Sequence, residues 1–391
     1  MVEWKKIEDL GPYFGGLTGK TKEDFVDGNA KFITYMNVFA NASLDITSTG
    51  VVRISDGERQ NKIQKGDILF TGSSETPDEA GMSCVVTEEL NEDYYMNSFC
   101  FGIRLNNPEQ YCLNYLKHIL RSSDVRKSIS KSASGVTRFN ISKARFGKIQ
   151  IPIPSLSEQT RIVGILDTFT SAIDNLKEQI ALRRKQYEYY RDQLLDLEGN
   201  EGVEIAPLRR IVKSYCTGAT PNKGHLEYYE SGTIPWLRTQ DVKFNEIYEI
   251  DSFVTEEAVA KTGVKWIPAN CVIVAISGAT AGRCAINKIP TTTNQHCLNL
   301  EINPKKALYK YVYYCVYNAY SDMISKKQGA RGDLNSSIIL GITIPVPSLS
   351  EQQRIVSILD TFEASIQNLE AQLEQRRKQY EYYRNKLLTF E

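Results

Sequence analysis

The chain has 391 residues, 41% of them hydrophobic, with 47 basic and 47 acidic side chains and a formal net charge of zero. That length implies two or more domains with sizeable cores, and the charge balance excludes a uniformly basic protein without excluding local basic faces that meet DNA. No charged-then-apolar leader opens the chain and no apolar run is long enough to cross a bilayer, so a cytoplasmic protein without a membrane partner is expected.

Residues 1–150 read as a globular domain of mixed strand and loop. Early in it, Gly15-Gly-Leu-Thr-Gly-Lys-Thr21 comes near a phosphate-binding loop. Such a loop needs a glycine at position 14, where Phe14 stands, and a strand before it, where Pro12 interrupts, so the motif is not met. Lys31–Val38, Asp67–Phe70 and Met82–Val86 are short β-prone runs between Gly and Asp turns. The apolar spacing from Glu109 to Ser130 predicts one or two helices, a polar segment with glycine spans Lys131–Ile141, and Lys148–Ile153 predicts a strand.

Residues 151–197 then predict a long helix. Ser155 and Glu158 form a capping-box pattern just after Pro154. Leu166, Phe169, Ile173, Leu176, Ile180, Tyr187, Tyr190, Leu194 and Leu197 follow at alternating spacings of three and four, with Arg183 in the one missing place. A stripe of this period suits a single partner helix.

That partner stands in the same chain. After a polar linker at 198–203, residues 204–346 repeat the order of features: an early Gly218–Asn222, strands at Ile234–Leu237, Cys271–Ile276 and Leu298–Ile302, helical residues Tyr309–Ile324, and a polar glycine segment Lys326–Asn335. The second long helix, 347–391, then repeats the first at a constant offset of 193 residues, with roughly two-thirds identity. Ser348 and Glu351 repeat the cap, and Arg376 interrupts the stripe where Arg183 does. The ends of the halves are near copies while the globular parts differ, which points to one assembly surface presented twice beside two different readers.

If the stripes pack together, a connection through a compact domain makes the helices antiparallel and places the globular parts at separated, inverted positions. The fold class expected is therefore α+β: two globular mixed α/β domains separated by a pair of long antiparallel coiled-coil helices, with a pseudo-two-fold internal repeat. Helices about 60 Å long would span one to two turns of DNA. Catalytic patterns are absent. The three histidines (His118, His225, His296) are far apart, the eight cysteines show no C-x-x-C spacing and read as buried thiols, and Ser277–Gly282 lacks a nucleotide-fingerprint spacing.

The duplicated IP-x-P-SLSEQ-x-RIV with its long helix, together with Ile234-Pro-Trp-Leu-Arg-Thr-Gln-Asp241, Ile276–Thr280 and Asn294-Gln295, resembles the DNA specificity subunit of type I restriction-modification systems. In the first half, Phe32-Ile33 stands where Trp236-Leu237 does, Asn37 where Asp241 does, and Asn97 where Asn294 does. The resemblance implies two target-recognition domains, each reading half of a bipartite sequence in double-stranded DNA. The helices would set the spacer and dock two methyltransferase subunits, joined in some complexes by restriction subunits. It implies no cofactor on this chain: S-adenosylmethionine, ATP and Mg are expected on the partners. A non-DNA coiled-coil scaffold that dimerises client proteins is the alternative.

Bases are read best by Arg, Lys, Asn and Gln, and phosphates by Lys, Arg and hydroxyls. In the first domain the candidates are Lys20, Lys22, Thr34, Tyr35, Asn37, Lys131, Ser134, Arg138 and Asn140. In the second they are Asn222, Lys223, Arg238, Thr239, Gln240, Lys326, Lys327, Gln328, Arg331 and Asn335.

Overall fold

A computed structural model describes residues 2–326 and 333–390. Lys327, Gln328 and Arg331 lie outside the described residues. The chain divides into two compact units, Met1–Lys177 with Ala371–Glu391, and Glu178–Glu370. Both divisions fall within a long helix, so each unit holds the first part of one helix and the last part of the other.

The units share a plan. In the first, the incoming strand Glu3–Lys6 pairs antiparallel with Gln150–Ile153, the strand that delivers the chain to helix Leu156–Leu195. In the second, Glu204–Pro207 pairs in the same way with Thr343–Val346, just before helix Leu349–Leu388. Between these ends the first unit carries an antiparallel four-stranded sheet, ordered Tyr13–Gly15, Cys100–Arg104, Asp67–Thr71, Ser83–Val85. The second carries a five-stranded sheet whose central strand Val272–Ala275 lies between Cys297–Ile302 and Cys284–Asn287. Each unit adds a smaller sheet with one parallel pair, Ala30–Ile33 beside Tyr94–Met96 and Ile234–Leu237 beside Thr291–Thr293.

Two local expectations change. The run Lys31–Val38 is a strand only to Ile33; Thr34 then accepts a hydrogen bond from Asn37 N–H (3.2 Å) and caps helix Tyr35–Ala40, because a hydroxyl that satisfies a free amide outweighs β propensity at that point. The caps of the long helices are half of a capping box. Ser155 and Ser348 accept from the amides of Glu158 (3.4 Å) and Glu351 (3.2 Å), but those carboxylates grip Arg161 and Arg354 through paired bonds of 2.6–2.8 Å.

The glutamine of SLSEQ joins helix to domain. Gln159, 1% exposed, accepts from Cys112 N–H (2.9 Å) and donates to the Pro154 carbonyl (2.8 Å). Gln352, fully buried, does the same with Leu308 N–H (2.9 Å) and the Pro347 carbonyl (2.9 Å). A buried carboxamide that satisfies backbone groups on both sides fixes the angle at which the helix leaves. Behind it, Ile162, Val163 and Leu166 enter the first core and Ile355, Val356 and Leu359 the second.

The seam is antiparallel within each unit. In the second, Arg184 pairs with Glu370 (2.5 Å) and Tyr187 with Glu363 (3.2 Å), so residue numbers rise on one helix as they fall on the other. Phe362 stacks on Tyr190 (5.4 Å) and lies under the Arg183 guanidinium (5.9 Å). In the first unit Phe169 stacks on Tyr383 (5.1 Å) and lies under Arg376 (5.8 Å). The arginines that interrupt the stripe thus remain in the seam as cations over an aromatic ring of the facing helix.

The contacts also differ between units. His118 is buried in the first, with one ring nitrogen 2.8 Å from Asp167 and the other 2.9 Å from the Tyr380 hydroxyl. Tyr314 occupies the matching place in the second and donates to Asp360 (2.6 Å). Burial lowers the His118 pKa below the usual 6.5 despite the pull of Asp167. A histidine kept neutral by folding binds fewer protons folded than unfolded. Its stabilising contribution is therefore whole above about 6.5 and is lost as the pH falls below that toward the folded-state pKa. Acidification from about pH 7.5 to about 5.5 should lower the wild-type melting temperature more than that of His118→Gln; equal losses would remove His118 from the account.

Candidate nucleic-acid interface

Backbone hydrogen bonds gather the same loops at one edge of each unit. In the first, Asn97 N–H donates to Ile33 (3.0 Å), Gly72 N–H to Phe99 (2.8 Å) and Ile141 N–H to Gly72 (3.0 Å). In the second, Asn294 N–H donates to Leu237 (3.0 Å), Ile276 N–H to His296 (2.9 Å) and Leu334 N–H to Ile276 (2.8 Å). Asn97 and Asn294 also turn the chain with their side chains, accepting from Phe99 N–H (2.9 Å) and His296 N–H (3.1 Å). These bonds correspond pair by pair between the two edges. Ile33 matches Leu237, Asn97 matches Asn294, Phe99 matches His296, and Ile141 matches Leu334.

The early glycines serve this edge. Leu17 N–H donates to Met96 (2.7 Å) and Ala219 N–H to Thr293 (3.0 Å). A Cβ on Gly16 would stand 2.1 Å from the Asn97 carbonyl oxygen, and one on Gly218 1.8 Å from that of Thr293, so only glycine allows the approach. The run that comes near a phosphate-binding loop is a packing device here. Lys20, which would have to reach a phosphate, instead pairs with Glu58 (2.6 Å) and donates to the Arg53 carbonyl (2.6 Å). That ammonium holds the Glu58 carboxyl down to about 2.

Among the other residues chosen for their chemistry, Tyr35 and Arg138 meet in one cleft of about 280 Å³ with Met36, Phe39 and Phe99. Tyr35 donates to the Ser73 carbonyl (2.7 Å), and the Arg138 guanidinium lies over Phe99 (5.8 Å). Ser134 and Asn140 are exposed on the small ladder Ala133–Ser134, Phe139–Ile141 and Ser73–Ser74 beside it. Lys131 is exposed near the end of helix Ser123–Ser132, and Lys22 is exposed on the turn Lys22–Phe25. Asn37 is buried and donates to the Asp45 and Ser48 carbonyls (2.7 Å each), a loop brace with no free edge to offer a base. Thr34 is its cap.

In the second unit Arg238, Thr239 and Gln240 follow strand Ile234–Leu237. Arg238 N–H donates to Asp241 (2.8 Å), and its Nε is buried without a hydrogen-bond partner among the described residues. Lys223 is exposed and Asn222 closes its own turn by accepting from Gly224 N–H (2.9 Å). Lys326 pairs with Asp322 (2.6 Å), and Asn335 caps helix Ser336–Leu340 through Ile338 N–H (2.9 Å).

Sequence reasoning missed Met36, Phe99 and His296, because isolated apolar residues and a lone histidine in turns carry no periodic signal. It also missed Arg121, whose buried guanidinium donates to the carbonyls of Ser83 (2.8 Å), Val38 (3.1 Å), Phe39 (3.0 Å) and Asn41 (2.7 Å). Burial lowers its pKa to about 10, so it remains a cation and ties helix Tyr35–Ala40 to the core.

The family described as the type I restriction modification DNA specificity domain matches residues 1–183 and again 200–376. The chain belongs to the type I DNA specificity family. Its two family repeats each take in a globular part and most of a long helix, as the duplicated sequence does.

Within the family, the EcoR124I/EcoR124II specificity subunit of Escherichia coli is 38% identical over 258 residues, 62% of this chain and 63% of that protein. The chain thus aligns with slightly less than two-thirds of that relative. The MjaIX specificity subunit of Methanocaldococcus jannaschii is 32% identical over 316 residues, 73% of this chain and 68% of that protein. The fold matches a crystal structure of the type I restriction-modification S subunit from M. genitalium (TM-score 0.56, 16% identity, 100% of this chain and 97% of that one). It also matches a chain from a study of complex assembly and conformational transition of the type I R-M system (TM-score 0.66, 15% identity, 99% and 97%). The alternative of a non-DNA scaffold draws no support from a match of this kind. No helix among the described residues is long and apolar enough to cross a membrane, and none of their His, Cys, Asp or Glu side chains group as a metal site.

Proposed function

We propose that this chain is the DNA-sequence-specificity subunit of a type I restriction-modification complex. Each loop edge reads one half of a bipartite target, and the paired helices set the unread spacer and dock two methyltransferase subunits. S-adenosylmethionine belongs to those subunits, which methylate adenine; ATP and Mg belong to restriction subunits where the complex has them. This chain supplies the address and the partners supply the chemistry.

One observation carries the reading. The same hydrogen-bond wiring recurs at the two edges while the side chains it presents differ, Tyr35, Met36 and Phe99 against Thr239, Gln240 and His296. Like backbone wiring with unlike surfaces is what two readers of unlike half-sites require, since base edges differ in their donors, acceptors and methyl groups. Co-expression with the methyltransferase encoded beside it, followed by sequencing host DNA for methyladenine, tests it. A single bipartite motif is the expected result; a soluble complex that leaves no motif would overturn the proposal.

A further inference from the structure

We infer that the first unit reads thymine C5-methyl groups with the cleft formed by Tyr35, Met36, Phe39 and Phe99, whereas the matching edge of the second unit reads by hydrogen bonds. This rests on the specificity-subunit reading. Met36 is 60% exposed and Phe99 57%, yet both stand at the convergence of the loops rather than in a core. Isolated exposed apolar residues are ordinary, but here two share one cleft with Tyr35 and Phe39, whose rings stack at 6.0 Å.

The occupant follows from what else lines the cleft. Glu75 and Glu79 face it, and Glu79 accepts from Ser74 (3.2 Å) and Thr76 (2.9 Å) and so stays fixed. Two carboxylates against the one guanidinium of Arg138 leave the lining net negative, which disfavours a phosphate and favours a base edge with exocyclic amino donors. Among the groups that a base pair presents in the major groove, the thymine methyl is the apolar one, and it prefers aromatic or aliphatic contact. Arg138, lying over Phe99 in the same lining, is the cation available to the neighbouring strand. In the second unit the places of Tyr35, Met36 and Phe99 hold Thr239, Gln240 and the exposed His296, all able to exchange hydrogen bonds, with the Thr239 methyl the one small apolar group among them.

Deoxyuridine tests this directly, because it removes the methyl and leaves every hydrogen-bonding group of thymine in place. Binding of the chain in complex with its methyltransferase subunits is measured on duplexes carrying one T-to-U change at each thymine of the bipartite site. Affinity is expected to fall about threefold to fivefold per contacted methyl, at positions in one half-site only. Phe99→Ala and Met36→Ala should each remove that sensitivity while sparing recognition of the other half, and Phe99→His, which installs the second unit's residue, should do the same. His296→Ala should leave the uracil sensitivity unchanged. Specific binding with no uracil effect at any position, or a half-site for the first unit that contains no A·T pair, would overturn the inference and leave the specificity reading standing. Absence of sequence-specific binding altogether would instead defeat that reading.

Discussion

Arg238→Ala is expected to weaken binding to the chain's bipartite target by roughly 5- to 150-fold, about 1–3 kcal/mol, with the loss confined to base pairs of one half-site. Arg238 leaves strand Ile234–Leu237 at the loop edge, its backbone held by Asp241. Its Nε is buried with no acceptor among the described residues, a cost in free energy that a turn of the side chain toward an acceptor outside the chain would relieve. The O6 and N7 of guanine are such acceptors, and a guanidinium meets them in two parallel bonds. Affinity measured against single-base variants of the target separates the outcomes. A uniform loss on all sequences would assign Arg238 to phosphate, and a lower melting temperature with unchanged affinity would make it structural. Arg331→Ala is expected to act in the same manner on chemical grounds.

Leu359→Ala is expected to destabilise the second unit by about 2–5 kcal/mol. Leu359 is fully buried in the core that also holds Ile355, Val356, Tyr314 and Ile344, so truncation leaves a cavity at the junction of helix and sheet. A helix with so narrow an apolar stripe depends on tertiary packing for its stability, and this junction supplies much of it. Leu166 occupies the matching place in the first unit, in contact with the core that includes Leu388, and Leu166→Ala should have the same effect there. Tyr189→Ala, at a position 62% exposed on the same helix as Leu166, should cost less than about 0.5 kcal/mol. Calorimetric unfolding of the three variants checks this; a Leu359 variant no less stable than the Tyr189 variant would mean that the helix does not depend on that core.

The long helices were readable because their signal is local and repeated. A period near 3.5 holds from Leu166 to Leu197 and again from Leu359 to Phe390, and the aligned Arg183 and Arg376 mark a common register. The strand before the first of them was readable as a β-prone run after a polar segment. Helix Tyr35–Ala40 was not, because its residues favour a strand and one hydroxyl cap reverses the outcome. The seam's aromatic contacts were foreseeable as a stripe, but not that each arginine would lie over the facing phenylalanine. Of the polar residues chosen for DNA contact, chemistry alone could not separate Arg138, poised in a cleft, from Asn37, buried as a brace, or Lys20, held by Glu58.

The sequence by itself determined the duplicated architecture, the antiparallel seam and the family, since each is written in periodicity and in near-identical motifs within one stretch of chain. Only the tertiary structure decided which side chains share an edge. That edge is built by hydrogen bonds such as Asn97 to Ile33 and Leu334 to Ile276, between residues some sixty positions apart, and such pairings leave no period in the chain for a reader to find.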